Sequence, residues 1–212
     1  MAGFKTHLTG GIVSGTGMVA FSFFLFPLNI IQTCSVFIMG TLGGILPDLD
    51  SDTGKPLALL FGILSVLIPT FLLLKMDGFT KITPEFLVCY FVGGYVIINY
   101  LVCGLIKKIT VHRGIMHSIP FSILSGEIGY LFFIPSGENI ALMVGISVFA
   151  GCIVHLLLDE FNSFSFKLGF IPVVKNSFGT AFKLKSNNLL VTLFIYCLII
   201  ALLFFHTPLN LF

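Results

Sequence analysis

Charge is what this sequence has least of. Among its 212 residues, 11 are Lys or Arg and 9 are Asp or Glu, so 9% carry a formal charge. An ordinary soluble domain carries about 25%. Hydrophobic residues make up 57% of the chain, Phe alone supplies 25, and the mean hydropathy is +1.09. A soluble globule could not cover its surface with so few charges. That excludes a soluble enzyme, a disordered tail and a nucleic-acid binder with a broad basic face. The net charge of +2 is too small to call for a polyanionic partner, and no nucleic acid is expected. What remains is a polytopic membrane protein in which almost every charge is a costly exception.

Other features are missing too. The five cysteines, Cys34, Cys89, Cys103, Cys152 and Cys197, form no C-x-x-C, are odd in number and all sit in apolar runs. They read as packing residues, not as disulfides or zinc ligands. No strand alternation of barrel type appears, so helices must satisfy the backbone in lipid. The expected fold is therefore all-α, a polytopic transmembrane helical bundle. No linker, low-complexity tract or long repeat is visible, which predicts one domain over residues 1–212. Lys5 precedes an apolar stretch, as in a signal peptide. However, Gly10–Phe26 contains several glycines and no clear small-residue cleavage site follows, so it reads as a retained first span.

A membrane-crossing helix needs about 20 mostly apolar residues. About seven segments qualify or nearly qualify: Gly10–Phe26, Ile30–Leu46, Leu57–Leu74, Pro84–Ile106, Ile119–Ile134, Ile140–Leu158 and Leu189–Phe205. Turn-forming residues separate them at Pro27-Leu28-Asn29, Pro47-Asp48, Asp77-Gly78 and Pro135-Ser136-Gly137. Gly11 with Gly15, and Gly40 with Gly44, are spaced for close helix contact or reflect ordinary membrane glycine content. With seven crossings and a cytoplasmic N-terminus, nine of the eleven basic residues fall on the cytoplasmic side and only Lys75 and Lys81 outside. This positive-inside asymmetry predicts N-inside, C-outside.

On that topology the unusual polar residues gather at one membrane level. His7 precedes the first span. Asp48, Asp50 and Asp52 follow the second, His112, Arg113 and His117 lie between the fourth and fifth, and His155 and Asp159 close the sixth. His155 and Asp159 are one helical turn apart, a spacing that suits two ligands of one metal ion or a plain hydrogen bond. Asp48-Leu49-Asp50-Ser51-Asp52 fails as an EF-hand, because Thr53 and Leu59 stand where Gly and Glu are required. It reads either as a solvated cap or as a source of carboxylate ligands. His112-Arg113-Gly114-Ile115-Met116-His117-Ser118 offers two imidazoles for a metal and a guanidinium for a phosphate, or surface histidines in a basic loop. Glu127 lies about 15 Å beyond His117 along a helix, too far to share a metal. It is a candidate functional carboxylate or a protonated structural one. His206 reads as an interfacial residue on the far side.

His7-Leu8-Thr9-Gly10, the Gly43–Asp50 segment, the His112–Ser118 motif and the His155–Asp159 motif together resemble the YdjM-like family of inner-membrane metal-dependent hydrolases. The likeness covers most of the chain. It implies a bacterial inner (cell) membrane location, metal dependence and a phospholipase-like activity. The order of ligand types is also similar to zinc-dependent phospholipase C enzymes, which are soluble and carry further ligands not matched here.

These readings combine into one expectation. His7, Asp48, His112, His117, His155 and Asp159 are the candidate ligands of a one- or two-ion site, with zinc the first choice and manganese the second. Asp50 would orient a ligand histidine or act as general base, and Arg113 would hold an anionic headgroup. The expected partners are membrane lipids, with a lipid or other phosphoester as substrate. Residues 160–188 mix Phe with Lys and read as an interfacial lid or as a simple amphipathic connection.

Two other classes compete. A transporter is weakened by a polar cluster confined to one face and by the lack of a visible inverted repeat. The other class is a membrane-anchored interaction or regulatory protein with a structural metal. Lipid-phosphate phosphatases are set aside, because Pro135-Ser136-Gly137-Glu138 lacks the histidine of their motif.

Overall fold

The computed structural model describes residues 3–50, 55–74, 83–104, 116–167, 171–174, 179, 182–185 and 189–206. It is helical almost throughout. The helices are α1 (Phe4–Leu25), α2 (Ile30–Gly43), α3 (Lys55–Leu74), α4 (Pro84–Val96), α5 (Ile119–Phe133), α6 (Glu138–Phe161) and α7 (Leu189–His206). A short 3-10 turn, Leu46–Asp50, follows α2, and a π-helical stretch, Ile97–Val102, continues α4. Four of the described helical segments are long and apolar enough to cross a membrane: Phe4–Leu25, Pro84–Val102, Ile119–Ser136 and Glu138–Phe161. Three shorter apolar helices accompany them.

The expected spans and the observed helices correspond one to one, with two informative shifts. The first helix starts six residues earlier than the apolar run: the Gly3 carbonyl accepts the Thr6 and His7 amides, and the Thr9 hydroxyl donates to the Lys5 carbonyl within the added turns. His7 therefore lies on α1 and not ahead of it. The second helix stops at Gly43 and not at Leu46. Pro47 has no amide hydrogen to continue the ladder, and the chain tightens into the 3-10 turn that carries Asp48.

Helix ends are set by local chemistry. Asn29 and Gln32 form a reciprocal capping box at the start of α2. The Ser118 hydroxyl accepts the Phe121 amide at the start of α5. The segment after α6 departs from an all-helical reading. Phe164–Lys167 pairs antiparallel with Ile171–Val174, Phe164 opposite Val174. Alternating Phe and β-branched residues favour this extended form.

The chain divides into two compact units, Met1–Leu49 with Arg113–Phe212, and Asp50–His112. In the first, α1, α2 and α6 pack mutually, α5 packs on α6, and α7 packs on α5. Val36, Ile140, Met143, Val144, Val148 and Cys152 form its central core. In the second, α3 packs on α4; Gly94 meets the Pro69 ring, and the Tyr90 hydroxyl donates to the Pro69 carbonyl at 3.0 Å.

Polarity in the first unit is reversed relative to a soluble protein. Ser22, Ser118, Ser122 and Ser147 are buried, while Phe24 and Ile30 are 87% and 80% exposed. An exterior this apolar suits lipid as the surrounding medium. The five cysteines are free thiols; Cys103 and Cys152 are buried, whereas Cys34, Cys89 and Cys197, expected to be packing residues, are exposed.

Candidate metal centre

Glycines bring the site together. A Cβ on Gly11 would lie 2.6 Å from the Thr41 carbonyl oxygen, and one on Gly15 would lie 2.6 Å from that of Phe37. A Cβ on Gly151 would collide with the backbone of α2 at Gly40, and would lie 2.8 Å from the Gly44 nitrogen. Only hydrogen at these positions lets α1, α2 and α6 approach so closely. Ser147 adds a buried cross-link, donating to the Val36 carbonyl at 2.9 Å. The two glycine pairs seen in the sequence thus do form contact faces. Gly151 was not singled out, although it lies four residues before His155 and shares its face.

At the end of this junction, α1 presents His7, the 3-10 turn presents Asp48, and α6 presents His155 and Asp159. His117, just ahead of α5, completes the group. All five are buried, with exposures of 0 to 7%. His7 Nε2 lies 3.3 Å from Asp159 Oδ1 and 3.9 Å from Asp48 Oδ2. His117 Nε2 lies 3.7 Å from Asp48 Oδ1 and 3.6 Å from Asp159 Oδ2. His155 Nε2 lies 3.6 Å from Asp48 Oδ1. The His7 and His155 rings stack at 3.6 Å with planes 13° apart, and His117 meets His155 edge-on at 5.4 Å.

The tautomer of His155 follows from its surroundings. Its Nδ1 lies 2.8 Å from the Gly44 carbonyl oxygen, which can only accept, so Nδ1 carries the proton and donates. In the neutral ring the Nε2 lone pair then points into the cluster. That nitrogen is buried without a hydrogen-bond donor, and both ring nitrogens of His7 also lack a hydrogen-bond partner. His7 Nε2 is within ion-pair distance of Asp159 but not aligned with it for a hydrogen bond. Orphaned buried nitrogens are costly in a protein and are what a metal ligand looks like without its ion. A backbone carbonyl orienting the far nitrogen of a ligand histidine is a recurrent second partner in metal sites.

Two overlapping groups, His7 with Asp48 and His155, and His117 with His155 and Asp159, have the spacing to hold a metal ion. The donor set of imidazoles and carboxylates fits a divalent metal ion. Burial by itself would raise the Asp48 carboxyl, but the neighbouring His117, with His155 and His7, outweighs it and holds the group below the ordinary carboxylate range.

Five of the six expected ligands therefore converge. The sixth, His112, and the expected headgroup residue Arg113 lie outside the described residues. The backbone of Asp50 closes the 3-10 turn, and its side chain is likewise outside the description. Glu127 stands apart on α5, half-buried, with one carboxylate oxygen buried and unpartnered. The chain after the hairpin is attached beside the site: Glu160 accepts the Gly179 amide at 2.6 Å, and the Ile119 amide donates to the Lys183 carbonyl at 3.1 Å. Sequence reading missed the Gly44 carbonyl as a partner of His155, because a backbone acceptor leaves no residue-type signal.

A helical membrane protein with a buried three-histidine, two-carboxylate cluster is the class these features define. The chain belongs to the YdjM inner membrane protein family, whose model matches residues 1–209. No curated protein and no solved structure shows a match. Family and apolar helices together make it an inner-membrane protein.

Proposed function

We propose that this protein is a membrane-embedded, metal-dependent hydrolase. Its substrate would be a phospholipid or another lipid phosphoester, taken at the cytoplasmic face of the inner membrane. The observation that carries the reading is the buried cluster itself, with the His155 Nε2 lone pair directed into it by the Gly44 carbonyl. Zinc is the preferred ion and manganese the second choice. A bound divalent ion supplies Lewis acidity toward a phosphoryl oxygen and lowers the pKa of a bound water.

The chain's own residues divide the remaining work. His7, Asp48, His117, His155 and Asp159 hold the ion, and His112 is a sixth candidate. Asp50, two residues beyond Asp48, would take a proton from water or orient a ligand histidine. Arg113 would hold the anionic headgroup by paired hydrogen bonds. The excess of Lys and Arg on one side of the chain supports an N-inside orientation, which puts the cluster where headgroups are reached while acyl tails stay in the bilayer.

The test combines metal analysis of the purified protein with hydrolysis of a phospholipid panel, with His155→Ala and Asp159→Ala as controls. The expected result is bound metal and turnover in the wild type, both lost in the variants. Wild type without metal or turnover, and unchanged by the substitutions, would refute the proposal. Metal uptake into proteoliposomes without turnover would favour transport.

A further inference from the structure

The two carboxylates sort their oxygens between histidines. Asp48 turns Oδ2 toward His7, at 3.9 Å, and Oδ1 toward His117 and His155, at 3.7 and 3.6 Å. Asp159 turns Oδ1 toward His7, at 3.3 Å, and Oδ2 toward His117, at 3.6 Å. Each acid thus offers one oxygen to His7 and the other to His117. A single ion using every one of these donor atoms would need seven ligands, beyond the tetrahedral preference of zinc. We propose that the cluster is a two-ion centre in which Asp48 and Asp159 both bridge.

One ion would lie on the His7 side, faced by Asp48 Oδ2 and Asp159 Oδ1. The other would lie on the His117 side, faced by Asp48 Oδ1 and Asp159 Oδ2. His155, whose ring is locked by the Gly44 carbonyl, is within ligand spacing of both groups, His7 with Asp48 and His117 with Asp159.

Charge supports the same assignment. Two carboxylates balance the formal charge of one divalent ion, which leaves the pocket without a net charge of its own to draw in a phosphoryl anion. With two ions the pocket keeps a net positive charge, as phosphoester chemistry at paired ions requires. The inference rests on the metal-site reading of the cluster and names its stoichiometry and bridging residues; it does not require hydrolysis.

The experiment is titration of the purified, chelator-stripped full-length protein with Mn(II), followed by metal analysis and electron paramagnetic resonance. Two Mn(II) per chain are expected, with the hyperfine sextet of an isolated ion replaced by an exchange-coupled spectrum. His7→Ala should keep one ion per chain and restore the sextet. Asp159→Asn, nearly isosteric and so less demanding on folding, should lose the coupling because a neutral amide bridges poorly. One ion per chain at saturation, with an isolated sextet in the wild type, would overturn the inference. Binding of no ion would overturn it together with the proposed function. Two coupled ions without lipid hydrolysis would uphold it and remove only the hydrolase reading.

Discussion

His155 carries two jobs through its two ring nitrogens. Nδ1 satisfies the Gly44 carbonyl at the end of α2, and Nε2 faces the other ligands. Its replacement should therefore cost more than metal. In chelator-treated protein, His155→Ala removes the donor to a buried carbonyl, a loss of about 1–3 kcal/mol. The expected outcome is a lower unfolding midpoint in detergent even without metal. A His155→Ala midpoint equal to the wild type, with both metal-free, would show that the Gly44 contact has no structural weight. That His155 and Asp159 share one helix face was legible from spacing, since four residues make about one turn; spacing alone fitted a plain hydrogen bond as well as a metal. The Gly44 partner was not legible, because every residue carries the same backbone oxygen.

At the scale of elements, the centre depends on how closely three helices approach. Gly151, His155 and Asp159 recur every four residues along α6, so one face carries both a close backbone contact and two of the candidate ligands. A side chain at Gly151 would be driven into the backbone of α2 near Gly44. Overpacking of this kind costs about 1–3 kcal/mol. Gly151→Val should lower the unfolding midpoint and weaken metal binding together, whereas Gly62→Val, at a position with open space around it, should do neither. Thermal unfolding monitored beside metal content checks both. The small-residue faces of α1 and α2 could be seen in the sequence, but which helix filled the third side could not. Three surfaces of similar apolarity offer no one-dimensional signal for which of them will meet.

For the whole molecule, orientation comes from charge and not from packing. Nine of the eleven basic residues fall on one side under the seven-span reading. The expected outcome for reporter fusions is a cytoplasmic N-terminus and an external C-terminus. Reporters placing both ends on one side would break the odd count of crossings. The division into two compact units, Asp50–His112 and the remainder, has no counterpart in composition. Both are equally apolar, and no linker marks the boundary.

By itself the sequence determined the medium, the helical class and the candidate ligands. Those properties follow from local chemistry: few charges force burial in lipid, lipid forces helices, and His and Asp are scarce enough here to stand out. Only the tertiary structure decided that His7, Asp48, His117, His155 and Asp159 come together, through His–Asp contacts of 3.3 to 3.9 Å, and how the carboxylate oxygens face the histidines. More than a hundred residues of chain separate His7 from His117, and their meeting is set by glycine-mediated packing of α1, α2 and α6. Contacts of that kind depend on shape in three dimensions, which residue order does not record.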